Sequence, residues 1–523
     1  MKKSTRYISA FLFVAPITLI GCGGSSSEDT ADSVIPTIPL VPSTPMPPPE
    51  PPSVCSFADS DIVNGTVISD IQSLRDALHA AENNGVDDII YINGGNYSVD
   101  YPINYDAQGS LEKISLIGCG SDAVVFNGNE ASVVFDFWKN GEITDWVNGN
   151  NMDIGPFPSV HFEGLTVTGG LCSNENCNIY GKSGAGIQLE NYHVTVNEIV
   201  VSNNFSISEG AGIKGAVNFE ATNSLFSGNG FYGYAGGSAF SASGTVDIKN
   251  TQFINNERQA FYRGISARVN TCEHPVNIEN SKFDGNDEQT VSILFYGCKE
   301  GQRNEVNVSR TEFTNNNGTV ILTRGGDLTV TDSLFKNNHG GYNGDYLSGG
   351  CTQYDMDCSN GGVIMMDKWI EGHGTITITD SSFINNSTPD NGGVIAMSHG
   401  DCATNDDPRL QCADGLTGSF DAIDVMINDS EIIGNSAHRG AVVSVGRGNL
   451  AGDNYQAGNV VINDSVISNN TGISHLPING SVPFMELETS IINVGGNLKM
   501  SNMKLENNIA DTEILVHGQI TEY

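Results

Sequence analysis

An eleven-residue phrase recurs through this chain and restricts its fold more than any other feature. It reads VDIKNTQFINN at 246–256, VNIENSKFDGN at 276–286, VNVSRTEFTNN at 306–316 and LTVTDSLFKNN at 328–338. It returns as ITITDSSFINN at 376–386, VMINDSEIIGN at 425–435, VVINDSVISNN at 460–470 and LKMSNMKLENN at 498–508. Weaker copies occupy 160–170, 194–204 and 219–229. Each begins apolar–x–apolar, passes a short polar turn, and closes with one apolar residue and an Asn three places later. Alternation of period two marks a strand with one buried face. A single short strand cannot bury that face. Stacking one copy on the next makes a continuous core and pairs the strand edges. The spacing of the copies falls in the range of solenoid repeats. The expected fold is all-β, a right-handed parallel β-helix over 111–510.

Two columns follow from this stacking. Phe226, Phe253, Phe283, Phe313, Phe335 and Phe383, then Ile432, Ile467 and Leu505, share one repeat position and predict an internal apolar ladder. Asn256, Asn286, Asn316, Asn338, Asn386, Asn435, Asn470 and Asn508 share another. Asn tolerates left-handed backbone and bonds turn peptides, so this column is expected at a sharp corner. Both columns are read as structural.

A second phrase follows the first: GAGIQL (184–189), GAGIKG (210–215), GGVIMM (361–366), GGVIAM (392–397) and RGAVVS (439–444). Its apolar run predicts another wall strand. FxxN followed by GG-apolar-apolar resembles the repeats of the polymorphic outer-membrane protein family over about 200–510. The resemblance implies a surface-displayed β-helix. Relatives in that family usually end in a membrane barrel; no barrel is expected in the segment ending ILVHGQITEY, so the resemblance does not imply self-translocation.

The N-terminus gives an address. Lys2, Lys3 and Arg6 precede an apolar run from Tyr7 to Ile20, and Leu19-Ile20-Gly21-Cys22 follows. This is the layout of a secretion signal over 1–21. It resembles the lipobox of bacterial lipoproteins, which implies acylation of Cys22 and a membrane attachment through lipid. Gly23 is expected to favour the outer membrane over inner-membrane retention. Residues 22–54 form a tether; its Ile35–Pro52 part holds nine prolines and reads as a polyproline II stalk.

Residues 55–110 are expected to cap the first coil. Leu74, Ala77, Leu78 and Ala81 lie at helical spacing, predicting an amphipathic helix over 73–83 that covers both the open core and the open sheet edge. DIQSLRDALHAAENNGVDDIIYINGGNYSV (70–99) is similar to the CSLREA-type motif that heads many secreted β-helices, with Gln72 where that motif has Cys. Residues 511–523 are expected to cap the far end.

The chain has 61 acidic and 24 basic residues, a formal charge of −37. This argues against a nucleic-acid partner, which requires a basic footprint. Of eleven cysteines, Cys22 is assigned to lipid. Close couples are Cys172/Cys177, Cys351/Cys358 and Cys402/Cys412. Cys272 and Cys298 lie about one coil apart, and Cys55 and Cys119 remain to tie the start of the domain to the first coil. Zinc is the competing use of these thiols, but no CxxC or paired His supports it.

Functional candidates fall into three groups. Arg263, Tyr296, Arg324, Lys368, His399 and Arg447 end successive second-phrase strands and are expected in one register, as a basic and aromatic stripe for an anionic glycan. Asp345, Asp355 and Asp357 share one loop and Asp401, Asp406 and Asp407 another, giving calcium candidates in Asp355, Asp357, Asp406 and Asp407, without the spacing of a calcium loop. No cofactor is otherwise expected. Two tryptophans at 136–158 sit in a polar segment that either plugs a gap or stacks on sugar. The first reading is an envelope-anchored, outer-membrane binding and adhesion lipoprotein presenting loops and a wall to glycan or surface protein. The second is a polysaccharide lyase or glycoside hydrolase on acidic polysaccharide, in which Lys368, Arg324 or His399 would act as base or carboxylate neutraliser.

Overall fold

The computed structural model describes residues 55–522 apart from 59, 61, 83, 108–110, 139–156, 174–183, 208–209, 232–236, 243, 259–265, 268–273, 288–289, 295–304, 325, 341–361, 369–373, 389–391, 400–422, 438–439, 446–457, 474–488 and 517–518. Among these residues the chain is a right-handed parallel β-helix, with every named strand pair parallel and one α-helix. Each coil contributes three walls. Wall one holds the opening strand of the first phrase, such as Val276–Glu279. Wall two holds its closing strand, such as Lys282–Asp284. Wall three holds the second phrase, such as Ile321–Arg324. Walls one and three belong to a 26-stranded sheet and wall two is a 13-stranded sheet.

The repeat positions stack as their spacing demands. Phe253 pairs with Phe283, Phe283 with Phe313, Phe313 with Phe335, and Phe335 with Phe383. Their rings stack with centroids 4.6, 4.9, 4.7 and 4.6 Å apart. Ile432 and Ile467 continue this column at 0 % exposure. The weaker copies join the same coil: Val160 pairs with Val194 and Val194 with Phe219.

The Asn column is buried and hydrogen-bonded from Asn204 and Asn229 through Asn470, two coils earlier than its clear start in the sequence. Its position corrects the expectation of left-handed backbone. The residues with φ between +51° and +70° are the ones before it, including Asn255, Gly285, Asn315, Asn337, Asn385 and Gly434. These take the corner, and the following Asn turns inward to bond the next coil. A second left-handed column, Asn250, Asn280, Arg310, Asp332, Asp380, Asp429 and Asp464, forms the corner between walls one and two. Behind it lies a buried hydroxyl ladder. Ser281 Oγ donates to Glu279 O at 2.8 Å, and Thr251 N–H donates to Ser281 Oγ at 3.2 Å. The polar turn of the phrase is thus a third internal ladder.

The helix runs Ile71–Ala81, two residues earlier than its spacing suggests, because Asp70 caps it by accepting Ser73 N–H at 2.8 Å. Leu74, Leu78 and Ala81 are buried and Ala77 packs partly against the core. The helix seals the core, but it does not cover the sheet edges alone. The strand Thr66–Ile68 pairs with Ile90–Ile92 and ends the large sheet. At the edge of wall two, Gly94 N–H donates to Cys55 O at 2.8 Å and Phe57 N–H to Asn93 Oδ1 at 3.1 Å. The Cys55–Cys119 disulfide, with Cα atoms 6.0 Å apart, fastens that segment to the first coil. Cys172 is also disulfide-bonded; its expected partner Cys177 lies outside the described residues, as do Cys22, Cys272, Cys298, Cys351, Cys358, Cys402 and Cys412.

The far end, expected to cap the coil, is formed by a further turn of it. Thr512–Val516 pairs with Ser490–Val494, and Ile520–Glu522 with Leu498–Ser501. No helix of the described residues is long and apolar enough to cross a membrane.

Candidate functional site

The three walls differ on their outer faces. In five strands of wall three the residue between the inward positions is itself covered, while Lys214, Met365 and Asn493 at the same register are half-buried. Gln188, Ser241, Leu322, Ala396 and Ser444 are 8, 7, 5, 1 and 5 % exposed. Those strands are buried on both sides, which suits their continuous apolar runs. Wall one alternates cleanly, and its outer face is open.

That open face carries columns of small polar groups. Asn277, Asn307, Thr329 and Thr377 follow one another in register, as do Glu279, Ser309, Thr331 and Thr379. All are half-buried. Asn307 Nδ2 donates to Asn277 Oδ1 at 3.1 Å, and Asn277 Nδ2 to Asp247 Oδ1 at 2.7 Å. Arg310 pairs with Glu279 at the margin. Coils stand ~4.8 Å apart, so the amides and hydroxyls form a regular flat array.

Toward the N-terminus the same face becomes acidic and imidazole-rich. His161, Thr195, Glu220, Asp247 and Asn277 occupy one column. His161 bonds Thr195 Oγ1 through Nδ1 at 2.8 Å and Glu163 Oε2 through Nε2 at 2.9 Å. Glu220 and Asp247 stand directly beside each other on neighbouring coils. The adjoining column is a hydrogen-bonded chain. His193 Nδ1 bonds Asn218 Nδ2 at 2.9 Å, Asn218 Oδ1 accepts Thr245 N–H at 2.9 Å, and Thr245 Oγ1 meets His274 Nδ1 at 3.2 Å. Accepting from the Asn218 amide requires a bare His193 Nδ1. Burial lowers the His193 pKa and keeps the ring neutral, and Phe157 packs edge-on against it, ring centroids 5.7 Å apart. This grouping was not singled out in the sequence. Its residues come from five separate phrases and share no local motif.

The expected basic stripe is resolved only in part. Lys368 pairs with His399. Arg324 pairs with Leu294, while Thr323 pairs with Met366. Arg324 therefore stands one place short of Lys368, and the single register expected for the stripe is broken there. Arg263, Tyr296 and Arg447 lie outside the described residues, as do Asp345, Asp355, Asp357, Asp401, Asp406 and Asp407. Among the described residues no group of three or more His, Cys, Asp or Glu is placed to hold a metal ion.

No family model matches the chain, and no curated protein matches it. Solved structures do. The catalytic domain of Agl-KA is 12 % identical, covering 90 % of this chain and 70 % of its own, with a TM-score of 0.35. PfbA, a surface adhesin of Streptococcus pneumoniae, is 13 % identical, covering 87 and 89 %, with a TM-score of 0.31. A mannuronic acid specific polysaccharide family 6 lyase from human gut microbiota is 10 % identical, covering 86 and 82 %, with a TM-score of 0.34.

Proposed function

We propose that this chain is a cell-envelope β-helix that binds glycan along wall one, tethered through a lipid on Cys22 and held off the outer membrane by its Pro-rich segment. The observation that carries the reading is the open outer face of wall one. Its Asn, Thr and Ser side chains repeat at coil spacing. Amides and hydroxyls both donate and accept, so they match the hydroxyl groups of an extended sugar chain. A long, shallow, preordered array binds through many weak contacts and needs little rearrangement. Lys368 and His399, paired in register at the end of wall three, are the cationic candidates for an acidic glycan.

The test is binding of the full-length chain to alginate, pectin, glycosaminoglycans and neutral glucans by biolayer interferometry. Lys368→Ala with His399→Ala should weaken acidic glycans selectively. Equal loss for neutral and acidic glycans, or no binding to any of them, contradicts the reading. Protease treatment of intact cells tests display: cleavage of the chain supports an outward face.

A second reading, hydrolysis of polysaccharide, is favoured by one observation, the adjacency of Glu220 and Asp247 in the column next to that of His193. Two carboxylates flanking a glycosidic bond are the usual machinery of such hydrolysis. Lyase chemistry also needs a cation at the substrate carboxylate. New reducing ends that vanish with Glu220→Gln and Asp247→Asn would support hydrolysis, and unsaturated-uronate absorbance would indicate a lyase.

A further inference from the structure

We propose that Thr195, His161 and Glu163 form a nucleophile, base and carboxylate that together hydrolyse short acyl esters. His161 and Thr195 stand in register on adjacent coils of wall one, and Glu163 and Asn197 are the next such pair on the same outer face. His161 Nε2 lies 2.9 Å from Glu163 Oε2, and its Nδ1 lies 2.8 Å from Thr195 Oγ1. A carboxylate only accepts, so Nε2 carries the proton. Nδ1 of the neutral ring is then bare and can take the proton of the Thr195 hydroxyl.

Other hydroxyl–imidazole contacts lack the third member. Thr245 Oγ1 meets His274 Nδ1 at 3.2 Å, and Ser387 Oγ meets His339 Nδ1 at 2.8 Å. Neither of those rings has a carboxylate at its other nitrogen among the described residues. Only the His161 ring is both held by a carboxylate and joined to a hydroxyl. A triad is recognised by these roles and this geometry, on whatever fold it occurs.

Asn197 supplies an oxyanion donor. It lies two residues from Thr195 on the same face, roughly 6.6 Å along the strand. Its Oδ1 accepts the Thr222 hydroxyl at 2.9 Å and Asn223 Nδ2 at 3.0 Å, which fixes the amide. Its Nδ2 has no acceptor among the described residues. An acyl carbon in contact with Thr195 Oγ1 brings its carbonyl oxygen within reach of that amide. All four side chains are half-buried, so a substrate on the wall can meet them.

Thr195 Oγ1 attacks the acyl carbon as its proton passes to His161 Nδ1. The tetrahedral intermediate places its negative oxygen at Asn197. It collapses with loss of the alcohol, which leaves with the proton from His161, and the acyl group remains esterified to Thr195. Water then attacks that ester, its proton going to His161, and the carboxylic acid departs as Thr195 regains its hydroxyl proton. Glu220 stands directly beside Thr195, and Asp247 beside Glu220. They repel a substrate carboxylate at this end of the wall, so the ester is one on an uncharged sugar hydroxyl. That choice of alcohol rests on the glycan reading of wall one; the triad itself does not.

The full-length chain is tested with p-nitrophenyl acetate, a fluorophosphonate probe and an O-acetylated neutral glucan. The wild type should release nitrophenolate, and mass spectrometry should map the phosphonyl label to Thr195. Thr195→Val should lower kcat by about 100-fold or more and abolish the label, while Thr195→Ser keeps both. Glu163 is a positioning residue, so Glu163→Gln should lower kcat by about tenfold or more at unchanged KM, with partial recovery in Glu163→Asp. Asn197→Ala should likewise lower kcat by about tenfold or more. Circular dichroism should show each variant folded, since none of these side chains enters the core. A wild type that does not turn over the nitrophenyl ester, a label on another residue, or unchanged hydrolysis by Thr195→Val would overturn the proposal, even if glycan binding stands. Cleavage of the nitrophenyl ester with no acetate released from the glucan supports the triad and contradicts the sugar as its alcohol.

Discussion

Asn286 and Asn316 lie one above the other, and two donors of Asn286 share one acceptor on Asn316. Asn316 Oδ1 takes the Asn286 backbone N–H and the Asn286 Nδ2, each at 3.0 Å, while Asn286 Nδ2 also reaches Phe253 O at 2.9 Å. The Asn column therefore ties three coils at each step. Replacing Asn316 with Ala removes the acceptor, leaves the buried Asn286 backbone N–H without a partner, and takes away one donor to the Phe283 carbonyl. An unmet buried group costs about 1–3 kcal/mol, so Asn316→Ala should lower unfolding free energy by about 2–4 kcal/mol in urea titration. Asn316→Asp should be at least as damaging, because a carboxylate cannot donate to Phe283 O or Asn338 Oδ1.

The N-terminal lid should loosen in acid. Asp70 has a lowered pKa, chiefly because its carboxylate accepts the Ser73 backbone N–H and then the Ser73 hydroxyl. Asp511 is lowered likewise by the Thr489 N–H and hydroxyl. A carboxylate with a depressed folded-state pKa stabilises the fold above its unfolded value, here 3.8. That contribution disappears as pH falls through the lower folded value. Asp70→Asn should flatten the acid side of the stability profile between those two points, read as melting temperature against pH. An unchanged slope would show that the cap does not respond to its charge.

Breaking the Cys55–Cys119 clamp should act locally at first. Cys55→Ala frees the segment that covers Gly94 and the edge of wall two. A disulfide of this kind contributes about 2–4 kcal/mol. Limited proteolysis followed by mass spectrometry should show earlier cleavage around 55–65 in the variant, while coils beyond 250 keep wild-type protection. Solenoid coils contact only their neighbours, which confines the damage.

One core hydroxyl should be dispensable. Thr323 is 0 % exposed, and its Oγ1 has no hydrogen-bond partner among the described residues. Valine has almost the same shape without the desolvated oxygen. Thr323→Val should therefore raise stability by about 1 kcal/mol, measured by denaturant titration. A loss would mean that the hydroxyl is satisfied in solution.

Much of the fold was legible because stacking writes itself into the sequence. Identical residues recur wherever one coil sits on the next, so Phe283 and Asn286 announce their columns. The N-terminal helix and the pairing of Cys55 with Cys119 were also readable, from helical spacing and from the cysteines left over. Three things were not. The left-handed corner falls on Asn315, one residue before Asn316, because both positions favour Asn and periodicity cannot separate them. Arg324 aligns with Lys368 as the residue that ends its strand, yet pairing follows the shared Ile321 and Ile364, after which the two strands differ by one residue. Finally, alternation tells which side chains face the core and says nothing of which outer face is covered. Leu322 and Ala396 are covered on the outer face of wall three, and only the folded chain brings His193, Glu220 and Asp247 into adjoining columns on wall one.

The most direct measurement is glycan binding by variants that block the middle of wall one. Asn307→Trp and Thr377→Trp put bulk onto the outer face without touching the core, so the fold should persist by circular dichroism. The expected result is a loss of glycan affinity of about tenfold or more, corresponding to about 1.4 kcal/mol. Undiminished binding by both variants would place the ligand elsewhere and contradict the assignment of wall one.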